Sequence, residues 1–254
     1  LALQHASNEL KINRDVLLNA VENNGNAIKL IPKLKNYESH SNEIIDYEIV
    51  FKAIRSKPRA LQHVPEEFKN NENIVLETVR INGLALEFAS VELKSNYDIV
   101  LVAVKQNGMA LKYVTSDELR NNYTIMLESV KQNGLSLKYI SEEYKNNENI
   151  VLAAVRQNGL ALEYLISDEL KNNYNIVLEA VKQNGKSYRY ISDVLKTNYD
   201  ILFIAIQTYG SAIQWTKSDD LKNNYNIILY ALAQDHQISK YLLPEYKILF
   251  SNTI

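Results

Sequence analysis

Arginine or lysine recurs three residues before a regularly spaced glycine or, once, proline, and such a row of cations could bind an acidic partner. This basic ladder consists of Arg55, Arg80, Lys105, Lys131, Arg156 and Lys182. In stacked helices the charges would lie roughly 10 Å apart, which suits an acidic protein segment or a phosphate backbone. The simpler explanation is local, because a helix dipole favours a cation in the last turn and a glutamate three residues upstream can pair with it. These upstream glutamates are Glu77, Glu128 and Glu179.

A second basic column is accompanied by its own acidic residues. It consists of Lys69, Lys94, Arg120, Lys145, Lys171, Lys196 and Lys222. An aspartate or glutamate lies three positions earlier in six of these seven cases, as Asp168 does before Lys171. The pattern favours a solvent-facing surface whose charges neutralise one another.

Aromatic residues form two further columns, which could stack on nucleic-acid bases beside a basic groove. The first column is Tyr47, Tyr97, Tyr123, Tyr174, Tyr199 and Tyr225. The second is Phe88, Tyr113, Tyr139, Tyr164, Tyr190, Trp215 and Tyr241. An aromatic residue in every repeat is more often part of the core, and a net charge of −2 provides no basic field for nucleic acid. We therefore interpret both columns as core.

Catalytic and metal-binding residues show no comparable pattern. The four histidines, His5, His40, His63 and His236, are scattered without a paired carboxylate or nucleophile, and the chain has no cysteine. Every glycine belongs to the regular spacing, so none is left for a phosphate-binding loop. We expect a protein without enzyme activity, cofactor or metal.

The elements that must position these columns follow from the glycines. All seven glycines are spaced by 25 or 26 residues, apart from one double-length gap in which Pro58 takes the glycine place, and His236 takes it in the last unit. The resulting nine units each contain a ten-residue apolar segment with helical periodicity and a shorter one after the glycine. This period is typical of stacked helical units. The predicted fold class is all-α, an α-solenoid of about nine 25–26-residue helical repeats.

Three local structures are predicted within each unit. Asn175 and its equivalents have the residue types of helix N-caps. The glycine should end the long helix in a left-handed conformation, so that Pro58 requires a different turn. Asn173 and its equivalents should form a tight corner between helices.

The whole chain, residues 1–254, is predicted to be a single helical-repeat array. It begins in mid-repeat, because residues 1–3 match residues 84–86, and we expect it to be a fragment of a longer protein. Residues 32–45 should form an inserted loop, and residues 244–254 an atypical C-terminal end. The longest apolar runs are too short to span a bilayer, so we expect a soluble protein without membrane insertion.

The motif Asn-Tyr-Asp-Ile-Val-Leu-Val-Ala-Val-Lys-Gln-Asn-Gly-Met-Ala-Leu-Lys-Tyr at 96–113 resembles the repeat called domain of unknown function 4116. The resemblance covers nearly the whole chain. It implies an all-helical array of the kind found in effector-like proteins of intracellular bacteria and in some protist proteins. It brings no catalytic residues.

One place in the unit, six residues before the glycine, varies from unit to unit. Glutamates at 77, 128 and 179 alternate there with Val102, Ala153 and Ile204, so that each series has a period of 51 residues. The alternation indicates either a recognition surface or a two-unit duplication with neutral drift.

The leading hypothesis for function is a non-enzymatic protein–protein interaction scaffold, which as a secreted bacterial effector would act on a host protein. Its candidate partner-binding residues are Arg80, Val102, Lys105, Gln106, Lys131, Gln132, Ala153, Arg156, Gln157, Lys182, Gln183 and Ile204. The alternatives are a nucleic-acid-binding helical array and the substrate-targeting portion of a larger enzyme whose catalytic domain lies outside this chain. We expect a cytoplasmic location, or the host-cell cytosol for an effector.

Overall fold

A computed structural model describes residues 2–31, 47–235 and 238 of the chain. All regular structure in these residues is helical, which confirms the all-α prediction. The predicted inserted loop at 32–45 and the atypical end at 244–254 lie outside the described residues, as do His236 and Tyr241.

Nine ten-residue helices, α1 to α9, carry the repeat in the described part of the chain. They span Arg14–Asn23, Tyr47–Ser56, Glu72–Ile81, Tyr97–Gln106, Tyr123–Gln132, Glu148–Gln157, Tyr174–Gln183, Tyr199–Thr208 and Tyr225–Gln234. The helices α1 to α8 are each followed by a six-residue 3₁₀ helix. These span Gly25–Leu30, Pro58–His63, Gly83–Phe88, Gly108–Tyr113, Gly134–Tyr139, Gly159–Tyr164, Gly185–Tyr190 and Gly210–Trp215. A further 3₁₀ helix, Ala2–His5, precedes α1.

Short link helices of two kinds lead into the next long helix. Four-residue α-helical links span Glu66–Lys69, Asp117–Arg120, Asp168–Lys171 and Asp219–Lys222. Three-residue 3₁₀ links span Leu10–Ile12, Leu93–Ser95, Tyr144–Asn146 and Leu195–Thr197. From Glu66 onward the two kinds alternate, so the structural period is two repeats, as the 51-residue sequence period indicates.

The chain divides into two compact units, Leu1–Gln132 and Asn133–Ile254. Within each unit, long helices pack on the long helices of neighbouring repeats, and 3₁₀ helices pack on 3₁₀ helices. Each long helix buries an apolar face, which in α4 consists of Ile99, Val100, Ala103 and Val104, all fully buried. Both units are therefore solenoids whose core runs between successive repeats.

The helix N-caps lie two residues earlier than the sequence predicted. In α4 the Asn96 side chain accepts a hydrogen bond from the Ile99 amide at 3.1 Å, and in α7 Asn173 does the same for Ile176 at 3.2 Å. Asn175, the predicted cap, lies inside α7. The expected tight corner at Asn173 is present, since only Asn172 and Asn173 lie between the Asp168–Lys171 helix and α7, but Asn173 forms it with the extended backbone of an N-cap, with φ −75° and ψ 114°.

The glycines serve close packing rather than the left-handed turn that was predicted. The extended residue Asn82, with φ −149° and ψ 104°, ends α3, and Gly83 begins the next 3₁₀ helix without a left-handed φ. A Cβ atom on Gly83 would overlap the carbonyl oxygen of Ala103 in the following long helix. The glycine column and the buried alanine column therefore meet at one close contact between repeats.

Pro58 does not change the turn, so that prediction is wrong as well. The preceding Lys57 has φ −148° and ψ 106°, almost the same values as Asn82. Pro58 then occupies the first position of its 3₁₀ helix, where its fixed φ is favourable and no amide hydrogen is needed for the helix.

Candidate functional site

The candidate partner-binding residues lie on the outward side of the long helices, which we call the long-helix face. In α4 this face consists of Leu101 and Val102, which are half-buried, and of Lys105 and Gln106, which are exposed. The same four places recur in the other long helices. The face thus combines a row of partly buried apolar side chains with rows of cations and amides.

The glutamines of this face connect one repeat to the one before. The Gly108 amide donates to Gln132 Oε1 at 2.6 Å, and Gln132 Nε2 donates to the carbonyl oxygen of Gln106 at 3.2 Å. The amides of Gly83, Gly134 and Gly159 make the equivalent bonds to Gln106, Gln157 and Gln183. Within the described structure, these side chains therefore act as clamps between repeats.

The residue at the glutamine place has a side-chain acceptor where the preceding repeat has a glycine, and lacks one where the preceding repeat has Pro58. Thr208 replaces glutamine and still accepts from the Gly185 amide at 2.8 Å. Pro58 has no amide hydrogen, and the following repeat has Ile81, which has no acceptor, at the glutamine place. The sequence alone contained this correlation, which the interpretation of the glutamines as a binding surface missed.

Several cations of the basic ladder are paired, some with a different glutamate from the one expected. Arg156 Nε lies 2.9 Å from Glu179 Oε2 in the next repeat, and Lys182 lies 4.0 Å from the other oxygen of Glu179. Lys131 pairs with Glu128 at 3.5 Å, as expected. Glu77 was expected to pair with Arg80 but instead bridges to Arg55 of the preceding repeat at 3.0 Å.

Arg80 and Lys105 differ from the other ladder cations. Both are exposed, and neither takes part in any ion pair among the described residues. The cause at Arg80 is the two-repeat alternation. Arg55 faces a repeat with Glu77 at the variable place, whereas Arg80 faces a repeat with Val102 there. Two unpaired cations on α3 and α4 thus flank an apolar side chain.

The second basic column is paired locally, as the sequence predicted. Five of its seven members lie within 4.0 Å of the acidic residue three positions earlier. The pairs are Lys69–Glu66, Arg120–Asp117, Lys171–Asp168, Lys196–Asp193 and Lys222–Asp219.

The first aromatic column is exposed, so its interpretation as core is wrong. Tyr97 is 40% and Tyr225 53% exposed, because each is the first residue of a long helix and lies before its buried face. The Tyr47 hydroxyl accepts from the Asn71 side chain of the next repeat at 3.1 Å. These tyrosines are therefore exposed at the starts of the long helices rather than packed in the core.

The second aromatic column is half-buried and joins neighbouring repeats. Tyr113 donates its hydroxyl hydrogen to Glu87 at 3.1 Å, and Lys112 lies 4.4 Å from the centre of the same ring. Burial raises the pKa of Tyr190, and the carboxylate of Glu163 raises it further.

The described residues contain no group of three or more histidine and acidic side chains arranged to hold a metal ion. In the same part of the chain, every helix is too short or too polar to cross a bilayer.

Comparison with protein families identifies the repeat. The model described as domain of unknown function (DUF4116) matches seven overlapping segments, residues 1–35, 46–94, 72–120, 96–145, 122–166, 147–196 and 173–217. The chain belongs to the DUF4116 family. The six DUF4116 matches after the first each cover about two structural repeats and advance by one repeat. No curated protein and no solved structure matches the chain.

Proposed function

We propose that this DUF4116 array is a non-enzymatic protein-interaction scaffold whose long-helix face on α3 and α4 binds an acidic, partly apolar segment of a partner protein. The observation that supports this most is the exposure of Arg80 and Lys105 without an ion-pair partner among the described residues, beside half-buried Val102. The other four cations of the ladder each lie within 4.0 Å of one of the chain's own glutamates.

The chain itself shows the contact that the partner would supply. In the preceding pair of repeats, the Glu77 carboxylate lies 3.0 Å from Arg55 Nε, and the Glu77 side chain is only 28% exposed. Val102 occupies the corresponding place beside Arg80 and supplies no carboxylate. A carboxylate from the partner would take that role, and the half-buried Leu76 and Leu101 would contact its apolar side chains.

The pairing within the ladder argues against nucleic acid as the ligand. Affinity for a phosphate backbone grows with the number of phosphates neutralised, but Glu77, Glu128 and Glu179 already pair with ladder cations. Two unpaired cations beside apolar side chains fit a short acidic peptide better than a polyanion.

The experiment uses a fluorescent peptide of alternating glutamate and leucine as the probe and measures anisotropy at two salt concentrations. The double variant Arg80→Glu/Lys105→Glu should bind the peptide about tenfold more weakly or worse, since it replaces two attractions by repulsions. Arg156→Glu/Lys182→Glu is the matched control, because it makes the same charge change where the cations are paired; it should change affinity by less than about threefold.

A third variant distinguishes a direct contact of the peptide with Arg80 from a general attraction to the positive charges of the ladder. Val102→Glu places a carboxylate where α3 and α5 already have one, so the fold should accept it, and the new side chain should neutralise Arg80 and weaken peptide binding. Equal losses in both double variants would contradict the proposed site. Tighter binding of single-stranded RNA than of the peptide, with a steep loss at high salt, would indicate nucleic acid instead.

A further inference from the structure

The helices α8 and α9 depart from the charge pattern of the long-helix face. At the ladder place they have Gln207 and Ala233, and at the variable place Ile204 and Tyr230. Asp200 is the single charged residue on the two helices. On the neighbouring α7, Lys182 is paired with a glutamate. This part of the second unit therefore presents an almost uncharged surface.

Aromatic rings cover that surface. The Phe203 ring lies nearly parallel to the Tyr199 ring, with centroids 5.9 Å apart and an angle of 7° between the planes. The Tyr230 ring on α9 lies 5.0 Å from Phe203. Tyr199 and Tyr230 are each 40% exposed, and Leu229 beside them is 39% exposed. We call Tyr199, Phe203, Leu229 and Tyr230 the aromatic patch.

The size and charge of the aromatic patch restrict what can bind it. Stable interfaces between folded proteins use roughly 20–30 residues a side, so four side chains suit a short segment better than a second copy of the chain. The absence of cations on α8 and α9 argues against an acidic ligand, and Asp200 favours a basic group in the ligand.

We propose that the aromatic patch binds a proline-rich segment in the polyproline II conformation, with a basic residue of that segment beside Asp200. Proline rings pack on aromatic side chains, and the preformed polyproline II helix loses little entropy on binding, which suits a small surface. Tyr199 and Tyr230 are exposed residues whose hydroxyls can donate to backbone carbonyls, which are unpaired in polyproline II. This site is independent of the one proposed on α3 and α4.

The test is a calorimetric titration with a synthetic peptide that contains two Pro-X-X-Pro motifs and one arginine. A second peptide has alanine at the proline positions and the same charge. The proposal requires that the first peptide binds and that the second binds at least about tenfold more weakly. Equal binding of the two peptides, or binding of neither, overturns it.

Variants that reproduce residues of other repeats keep the fold intact. Phe203→Leu introduces the residue that α7 has at the equivalent position, Leu178. Tyr230→Glu likewise introduces the α7 residue at its equivalent position, Glu179. Each should lower the affinity for the proline-rich peptide about tenfold, which is the effect of losing one anchoring aromatic contact. Tyr174→Ala is the matched control: its ring is similarly exposed, at 42%, but lies outside the aromatic patch. It should leave the affinity unchanged.

Asp200→Asn tests the charged contact. It should lower the affinity for the peptide that contains arginine. The affinity for a peptide that has glutamine instead of the arginine should not change. A patch that is merely apolar would tolerate Phe203→Leu and Asp200→Asn, and that result overturns the proposal. Self-association of the unmodified chain that Tyr230→Glu abolishes would also overturn it, in favour of a second copy as the occupant.

Discussion

The glycine column sets how closely each 3₁₀ helix approaches the long helix of the next repeat. Because a Cβ atom on Gly83 would overlap a backbone carbonyl oxygen rather than a mobile side chain, relief requires the helices to move apart. Gly83→Ala should therefore lower the free energy of unfolding by about 1–3 kcal/mol, as overpacking does in cores. Urea unfolding followed by circular dichroism measures the change.

Pro58→Ala is the control, because Pro58 occupies the glycine place of its repeat and already has a Cβ atom. It should cost no more than about 1 kcal/mol, which reflects the freedom gained by the unfolded chain. If the two alanine variants were equally destabilised, the close contact would not be the reason for the glycines.

Some single residues could not be interpreted correctly from the sequence, and the reasons are physical. A glycine after a helix is compatible with a left-handed turn and with close packing, and only the position of Ala103 distinguishes the two. Glu77 has two cations within reach, Arg80 on its own helix and Arg55 on the previous one, and the packing of the helices decides between them. By contrast, Lys171 and Asp168 lie on one short helix, so their pairing was predictable.

At the scale of the element, the start of the long helices was misplaced by two residues wherever the structure describes the residue before the helix. Asn122 and Thr124 both have the type of an N-cap, and the tyrosine between them is acceptable inside or outside a helix. The side chain that reaches the amide three residues later is Asn122, which accepts from Ile125 at 3.2 Å. The existence and number of long helices were nevertheless predictable, because their apolar period is a property of the sequence.

These two candidate caps differ in what their loss should cost. Asn122→Ala should lower the free energy of unfolding by about 1 kcal/mol, because it leaves a helix amide without its acceptor. Thr124→Ala should change it by less than about 0.5 kcal/mol, since Thr124 is exposed within the first turn. Paired urea titrations of the two variants measure the difference. A larger effect at Thr124 would show that the cap assignment is wrong.

At the scale of the whole molecule, the two-repeat alternation should have energetic consequences. The residue that precedes one link contacts the end of the link before it: Ser192 donates its hydroxyl hydrogen to Asn172 Oδ1 at 2.6 Å and its amide hydrogen to the carbonyl oxygen of Lys171 at 3.0 Å. Asn172 follows a four-residue α-helical link. The equivalent position, 25 residues later, is Thr197, the last residue of the three-residue link Leu195–Thr197. It has a hydroxyl instead of the amide oxygen, so the hydrogen bond from Ser192 to an amide oxygen requires a link of the other kind before it.

An insertion experiment tests whether repeats are interchangeable singly or only in pairs. A second copy of residues 147–197 placed after Thr197 preserves the alternation and should raise the thermal midpoint, because each added repeat contributes a new interface. A second copy of residues 173–197 at the same point puts two three-residue links in succession, and the duplicated Ser192 then meets Thr197 instead of Asn172. The loss of the Ser192–Asn172 hydrogen bond should cost about 1 kcal/mol, so the single insertion should raise the midpoint by well under half as much as the pair. If it raised the midpoint by half, the individual repeat would be the energetic unit, and the alternation of Glu77 with Val102 would reflect neutral drift rather than packing.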